Sequence, residues 1–191
     1  MATLSLVLTV LSDDRPGLVE SLAAVITAHN GNWLESRMAH LAGQFAGILR
    51  ASVPEDQAEA LMSALQGLAS QGLRVVVKRS TTEAPPQDHQ WLRLNVVGND
   101  HPGIVRDLAH ALKQYGINID ELYTECSSAP MSGTALFKAT AQLRVPPQVV
   151  VADLQEHLER LAHDLMVDVL LEEVSSGQES VVFMPSPSGR G

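Results

Sequence analysis

The chain writes one short turn twice. "SDDRPGLVESL" contains Asp14-Arg15-Pro16-Gly17-Leu18-Val19, and "GNDHPGIVRDL" contains Asp100-His101-Pro102-Gly103-Ile104-Val105, 86 residues later. Both copies follow an apolar run and precede a helical stripe. The match extends past the turns. Asn32 pairs with Asn118 and Glu35 with Glu121 at the same offset, while Gly31 pairs with Gly116 after a one-residue shift. Phe45 and Pro54 pair with Phe137 and Pro146 at an offset of 92. The extra residues fall around "CSSAPMSG", a turn-rich run where a hairpin tolerates added length. A repeat this long requires two structurally similar halves in a chain of 191 residues.

Each half reads as strand, helix, strand, strand, helix, strand. Leu4, Leu6, Leu8 and Val10 alternate with smaller or more polar residues, the pattern of a half-buried strand. Asp14 stands where a side chain caps a helix N-terminus, and Pro16 suits a first turn whose amides have no intrahelical partner. Leu18, Leu22, Val25 and Ile26 form a buried stripe, with Gly31 as the stop. "WLESRMAHL" and "QFAGILRASV" form a hairpin. Pro54 opens a second helix with Ala58, Leu61, Leu65 and Leu68 inward, Gly72 stops it, and "LRVVVKR" closes the unit. The second half repeats the order with "WLRLNVVG", a helix from Ile104 to Tyr115, and a hairpin of "INIDELYTEC" with "TALFKATAQLRV". A helix lined by Val151, Leu154, Leu158, Leu161 and Leu165 and the strand "MVDVLLEEV" complete it. Right-handed crossovers turn this order into an α+β fold: two ferredoxin-like βαββαβ units in tandem, each a four-stranded antiparallel sheet with both helices on one face. The predicted boundaries are 1–80 and 91–174 for the units, 81–90 for a Pro-rich linker, and 175–191 for a loose tail.

Composition narrows the function classes. Hydrophobic residues make up 45% of the chain, enough for packed cores. The opening "MATLSLVLTVLSDD" lacks the basic start and cleavage site of a signal peptide, and its apolar run is too short to span a membrane. A single cysteine, Cys126, excludes an internal disulfide and fits a reducing cytoplasm. Residues 1–80 carry 6 Lys/Arg and 7 Asp/Glu, residues 81–191 carry 7 and 15, and the whole chain has a formal charge of −9. A chain this acidic, without a basic stripe, is repelled by phosphate, so direct nucleic-acid binding is not expected. Any influence on genes runs through another protein.

The repeated turn suggests a ligand site. It joins a strand to a helix, where unpaired amides and the positive end of the helix dipole face outward and attract a carboxylate. Gly17 and Gly103 carry no Cβ, which lets a small ligand approach the backbone. Asn32 and Asn118 lie just past the helix that each turn opens, and a side-chain amide suits an α-amino acid's ammonium and carboxylate together. The plain alternative is that proline and glycine shape a tight turn and the aspartate caps.

The paired D-x-P-G-[LI]-V turns, each followed by a glycine and an asparagine, resemble ACT domains, small amino-acid-sensing modules of metabolic regulation. The likeness covers about residues 3–80 and 90–173. Two such modules with no catalytic domain, and "HNGNWLESRMAHLAGQFAGI" in the first, resemble the glycine cleavage system transcriptional repressor family. The resemblance implies ligand at the contact between two modules beside the turn after the first strand. It implies a cytoplasmic regulator that responds to a small amino acid, with glycine favoured, and restrains a DNA-binding activator. The alternative is a stand-alone allosteric subunit or scaffold on a metabolic enzyme. The candidate ligand-binding residues are Asp14, Arg15, Pro16, Gly17, Leu18, Asn32 and Trp33 in the first half. In the second they are Asp100, His101, Pro102, Gly103, Ile104, Asn118 and Ile119. Trp33 either fills space beside a tiny ligand or anchors the sheet. His101, near a helix N-terminus, is expected to stay neutral, as a ligand hydrogen-bonding group or an exposed bystander. One strong site and one vestigial site are expected.

No catalytic chemistry is legible. The seven histidines are scattered, and His157 and His163 read as solvated positions on the last helix. Cys126 reads as a plain hairpin residue, and Asp13 beside Asp14 as a solvated neighbour of a cap. No enzyme activity, cofactor or metal is expected. A sheet with helices on one face leaves its other face and an edge uncovered, which points to a homo-oligomer.

Overall fold

The computed structural model describes residues 2–80, 88–128 and 135–174. Chain contacts divide it into two compact units, Met1–Ala84 and Pro85–Gly191. The first contains β1 (Thr3–Asp13), α1 (Leu18–Ala28), β2 (Asn32–Leu41), β3 (Gln44–Pro54), α2 (Ala58–Gly67) and β4 (Arg74–Arg79). The second contains β5 (Gln90–Asn99), α3 (Ile104–Gln114), β6 (Asn118–Ser128), β7 (Ala135–Val145), α4 (Val151–Leu165) and β8 (Val167–Glu173). The strand orders are β2-β3-β1-β4 and β6-β7-β5-β8, with every pairing antiparallel. The fold class is as the sequence predicts: two tandem ferredoxin-like units.

Alternation decides which face of each sheet is covered. Leu6, Leu8 and Val10 on β1 are buried with Leu49, Ala51 and Val53 of β3, whereas Thr9, Leu11 and Ile48 between them are exposed. The buried set packs against Leu18, Leu22 and Ile26 of α1 and Ala58, Leu61 and Leu65 of α2. The second unit repeats the core with Leu92, Leu94 and Val96 against Ile104, Leu108 and Leu112 of α3 and Leu154 and Leu158 of α4. A period of two on strands meets a period near four on helices, so one apolar layer forms per unit. Trp33 and Ile119 are partly buried against their own cores, which favours the sheet-anchor reading of Trp33. His157 departs from its solvated assignment. Its ring lies 5.6 Å from that of Tyr115 at a tilt of 52°, and its Nδ1 is 3.2 Å from the tyrosine hydroxyl.

Three local expectations need correction. Asp14 caps no helix: α1 starts after Gly17, whose φ is 91°, and no side chain caps it. Pro16 therefore precedes the helix instead of opening it, because the left-handed Gly17 intervenes. The stop after α1 is Asn30, with φ 56°, and not Gly31. Gly31 N–H closes the helix end on Ile26 O at 2.9 Å, and Ile117 N–H does the same on Leu112 O at 3.1 Å. Gly116, with φ 67°, thus matches Asn30 at the unshifted offset. Gly31 is glycine for a different reason: a Cβ there would lie 2.9 Å from Ile26 Cγ2 and Ile26 O, and 3.2 Å from Ser52 O. The β2–β3 hairpin closes through Ala42 and Gly43, both at positive φ. The linker, apart from its last three residues, lies outside the described residues. So do the tail and most of the inserted run after Cys126.

Candidate functional site

The two turns are built alike. Asp14 N–H donates to Gly43 O at 2.9 Å, and Asp100 N–H to Ala135 O at 2.9 Å, so each turn leans on the hairpin tip of its own unit. The Asp14 carboxylate stands 3.5 Å from His40 Nε2. Asp100 faces Cys126 at the equivalent position and, after burial, raises the thiol's pKa. A thiolate is disfavoured beside a carboxylate, which argues against Cys126 as a nucleophile. Gln44 Nε2 also donates to Asp13 Oδ1 at 2.7 Å.

The residue after each aspartate reaches the other way. Arg15 Nη2 donates to Gln71 O, at the end of the helical segment that follows α2. His101 Nε2 lies 2.8 Å from Leu165 O, at the end of α4, and its Nδ1 lies 3.2 Å from Pro102 O. Both side chains therefore tie the turn to the carbonyl end of the second helix, where a cation is favoured. With a carbonyl at each nitrogen, only the doubly protonated ring donates to both. These contacts, helped by Asp100 and Asp107, hold His101 above its usual pKa. Against the helix dipole, which favours a neutral His101, these direct hydrogen bonds pull the ring toward its charged form.

The helix mouths themselves differ. Gly17 and Gly103, with φ of 91° and 108°, hold the left-handed conformation that starts α1 and α3. Leu18 and Ile104 bury their side chains in the cores. The earliest amides to find acceptors within these helices are those of Ser21, on Gly17 O, and Asp107, on Gly103 O. At the first mouth, a Cβ on Gly17 would meet nothing within 4 Å. At the second, it would meet Arg106 Nη2 at 3.3 Å and Asp107 Oδ2 at 3.5 Å. Asp107 is gripped there by Arg106 through contacts of 2.7 and 3.1 Å, which lower its pKa. The second mouth carries its own carboxylate; the first is open.

The asparagines do not join the turns of their own units. Asn32 lies opposite Ser52, which lies opposite Ser5, whereas the turn begins after Asp13. Eight strand residues separate the two ends, roughly 26 Å at 3.3 Å per residue. Asn118, opposite Arg144 and hence Trp91, is equally remote from Asp100. Its side chain is held by Asp120, whose carboxylate pairs with Arg144 at 3.2 Å. The residues brought to each turn are instead His40 and Gln44 in the first unit and Cys126 in the second. The offset of 86 between His40 and Cys126 was a signal available in the sequence.

Comparison with known proteins fits this architecture. A family model described as ACT domain matches residues 5–78. Proteins named glycine cleavage system transcriptional repressor from Escherichia coli K12 and Shigella flexneri are each 24% identical over 176 residues, covering 91% of this chain and 92% of theirs. A solved structure of an unknown protein from Galdieria sulphuraria is 32% identical, with a TM-score of 0.81 over 91% of this chain and 99% of that one. Another, provisionally assigned as a glycine cleavage system transcriptional repressor, has a TM-score of 0.68 at 21% identity, over 91% and 99% of the two chains. The first unit matches the ACT-domain family, and the chain as a whole is a tandem of two ACT-like modules resembling the glycine cleavage system transcriptional repressors.

Proposed function

We propose that this chain is a non-enzymatic, amino-acid-responsive regulator that represses the glycine cleavage system by binding a DNA-binding activator protein and not DNA. The observation that carries the reading is the similarity to the named repressors across 91% of the chain, with both modules included. The first-module turn supplies the ligand chemistry. Its amides at the start of α1 suit the carboxylate of a small amino acid, and the bare, unobstructed Gly17 lets that carboxylate approach the backbone; glycine is favoured through the likeness to the named repressors. The second mouth is the vestigial one in this reading, because Asp107 stands beside Gly103 and an incoming carboxylate meets like charge there. No cofactor or metal takes part. The formal charge of −9 supports a protein partner over nucleic acid, and the chain acts in the cytoplasm.

The test is capture of partners on the tagged full chain from native cytoplasm, with mass spectrometry and a mobility-shift assay on glycine cleavage promoter DNA. The reading expects a helix-turn-helix activator among the captured proteins, and a DNA shift by that activator that changes when this chain is added. Capture of a biosynthetic enzyme alone, or a DNA shift by this chain alone, contradicts it.

A further inference from the structure

Each sheet has one face covered by helices and one turned away from them, and the two outward faces carry opposite charge. On the first sheet, register lays Arg37, Ile48, Thr9 and Val76 in one row. Arg50 and Lys78 belong to the row on one side, Leu11 and Arg74 to the row on the other. The matching central row of the second sheet is Tyr123, Thr140, Asn95 and Leu170. There Glu172 replaces Lys78 and Asp168 replaces Arg74. Over these three rows the first face holds four basic residues against Glu35. The second holds four acidic residues (Glu121, Glu125, Asp168 and Glu172) against Arg93 and Lys138, a formal balance of +3 facing −2. Both faces keep an exposed apolar centre: Leu11, Ile48 and Val76 on one, Val97 and Leu170 on the other.

We propose that the outward face of the first sheet docks on the outward face of the second sheet of another copy of this chain. An apolar centre with a charged rim is the anatomy of a protein interface, and two sheets stack face to face about 10 Å apart. The occupant is a second copy because the chain itself carries the complementary face. Each copy carries one face of each sign, so every copy offers a partner both halves of the complementary pair. Matching like faces instead would oppose arginine to arginine and glutamate to glutamate, which is disfavoured. The inference stands apart from the ligand reading, since neither face includes a helix mouth.

The experiment is sedimentation equilibrium of the full chain over a concentration series at low and high salt. It compares Arg74→Asp with Lys78→Glu, Asp168→Arg with Glu172→Lys, and all four together. These four side chains are exposed, and thermal melts verify folding of each variant. Wild type is expected to dimerise, less tightly at high salt. Each charge-reversed pair weakens the dimer by about ten-fold or more, and the fourfold variant recovers most of the loss. Cross-linking of mixed isotopically labelled copies places first-sheet residues against second-sheet residues of the other copy. A monomer at all concentrations, a dimer indifferent to the reversals, or cross-links between these faces within single chains only, overturns the proposal. If a reversed pair fails to fold, Arg74→Gln and Asp168→Asn are read the same way, each expected to weaken the dimer.

Discussion

The corrected repeat alignment makes Gly31→Ala and Gly116→Ala physically different substitutions. Aligned with a shift, the two glycines look equivalent; in the structure Gly116 is a left-handed stop and Gly31 is a point of close approach. At Gly116 the added methyl meets nothing within 4 Å, so the cost is left-handed strain alone, about 1–2 kcal/mol. At Gly31 the methyl collides with two backbone oxygens and Ile26 Cγ2, at distances of 2.9 to 3.2 Å. Backbone on both sides cannot swing away, so the cost is about 3 kcal/mol or more. For a module of this size each kcal/mol lowers Tm by about 4–8 °C. The assay is urea unfolding followed by tryptophan fluorescence. One tryptophan, Trp33, lies in the first unit and the other, Trp91, in the second. A Trp33→Phe background therefore isolates the second unit, and Trp91→Phe the first. Gly116→Asn recovers part of the Gly116→Ala loss, because asparagine already fills the equivalent position at Asn30. Gly31→Ala costing no more than Gly116→Ala refutes the reasoning.

Other outcomes follow from the same geometry. Leu8→Ala, at a position with 0% exposure, lowers first-unit stability by about 2–5 kcal/mol, whereas Leu41→Ala, at 78% exposure, changes it by less than about 0.5 kcal/mol; equal effects in urea titrations contradict the assigned faces. His101 has a raised folded pKa, so its stabilising contribution is complete below its ordinary value of 6.5 and fades as pH rises through the raised one. Second-unit urea midpoints measured from about pH 6 to about pH 9 fall accordingly in wild type, and His101→Gln flattens that fall. Cys126 alkylates more slowly than a free thiol at neutral pH, and Asp100→Asn speeds it; an unchanged rate in a maleimide assay rejects the Asp100 contact.

How much of this was legible in the sequence depends on the distance over which each feature is decided. The sheets and helices follow from periodicities inside single segments: Leu6, Leu8 and Val10 declare a face, and Ala58, Leu61, Leu65 and Leu68 declare a stripe. The cap at Asp14 was misread because its partners, His40 and Gly43, belong to a hairpin tip that only the folded sheet brings close. The pull on His101 toward its charged form was hidden in the sequence because its acceptor, Leu165 O, lies 64 residues away. Asn32 looked like a neighbour of the turn because sequence counts residues. A helix running back along the sheet carries it to the far end instead. The difference between the two mouths was visible only as Glu20-Ser21 against Arg106-Asp107, and meaningless until Asp107 was seen beside Gly103.

The most direct test of the account is glycine titration of the two single-tryptophan backgrounds, read as module-resolved melting. At about 10 mM glycine and a Kd of about 1 mM, binding to the folded state adds about 1.4 kcal/mol. The account predicts a rise of several degrees in first-unit Tm, roughly 6 °C or more by the same scaling, with no rise in the second unit and none in Gly17→Val. An unmoved first unit, or an equal rise in both units, contradicts it.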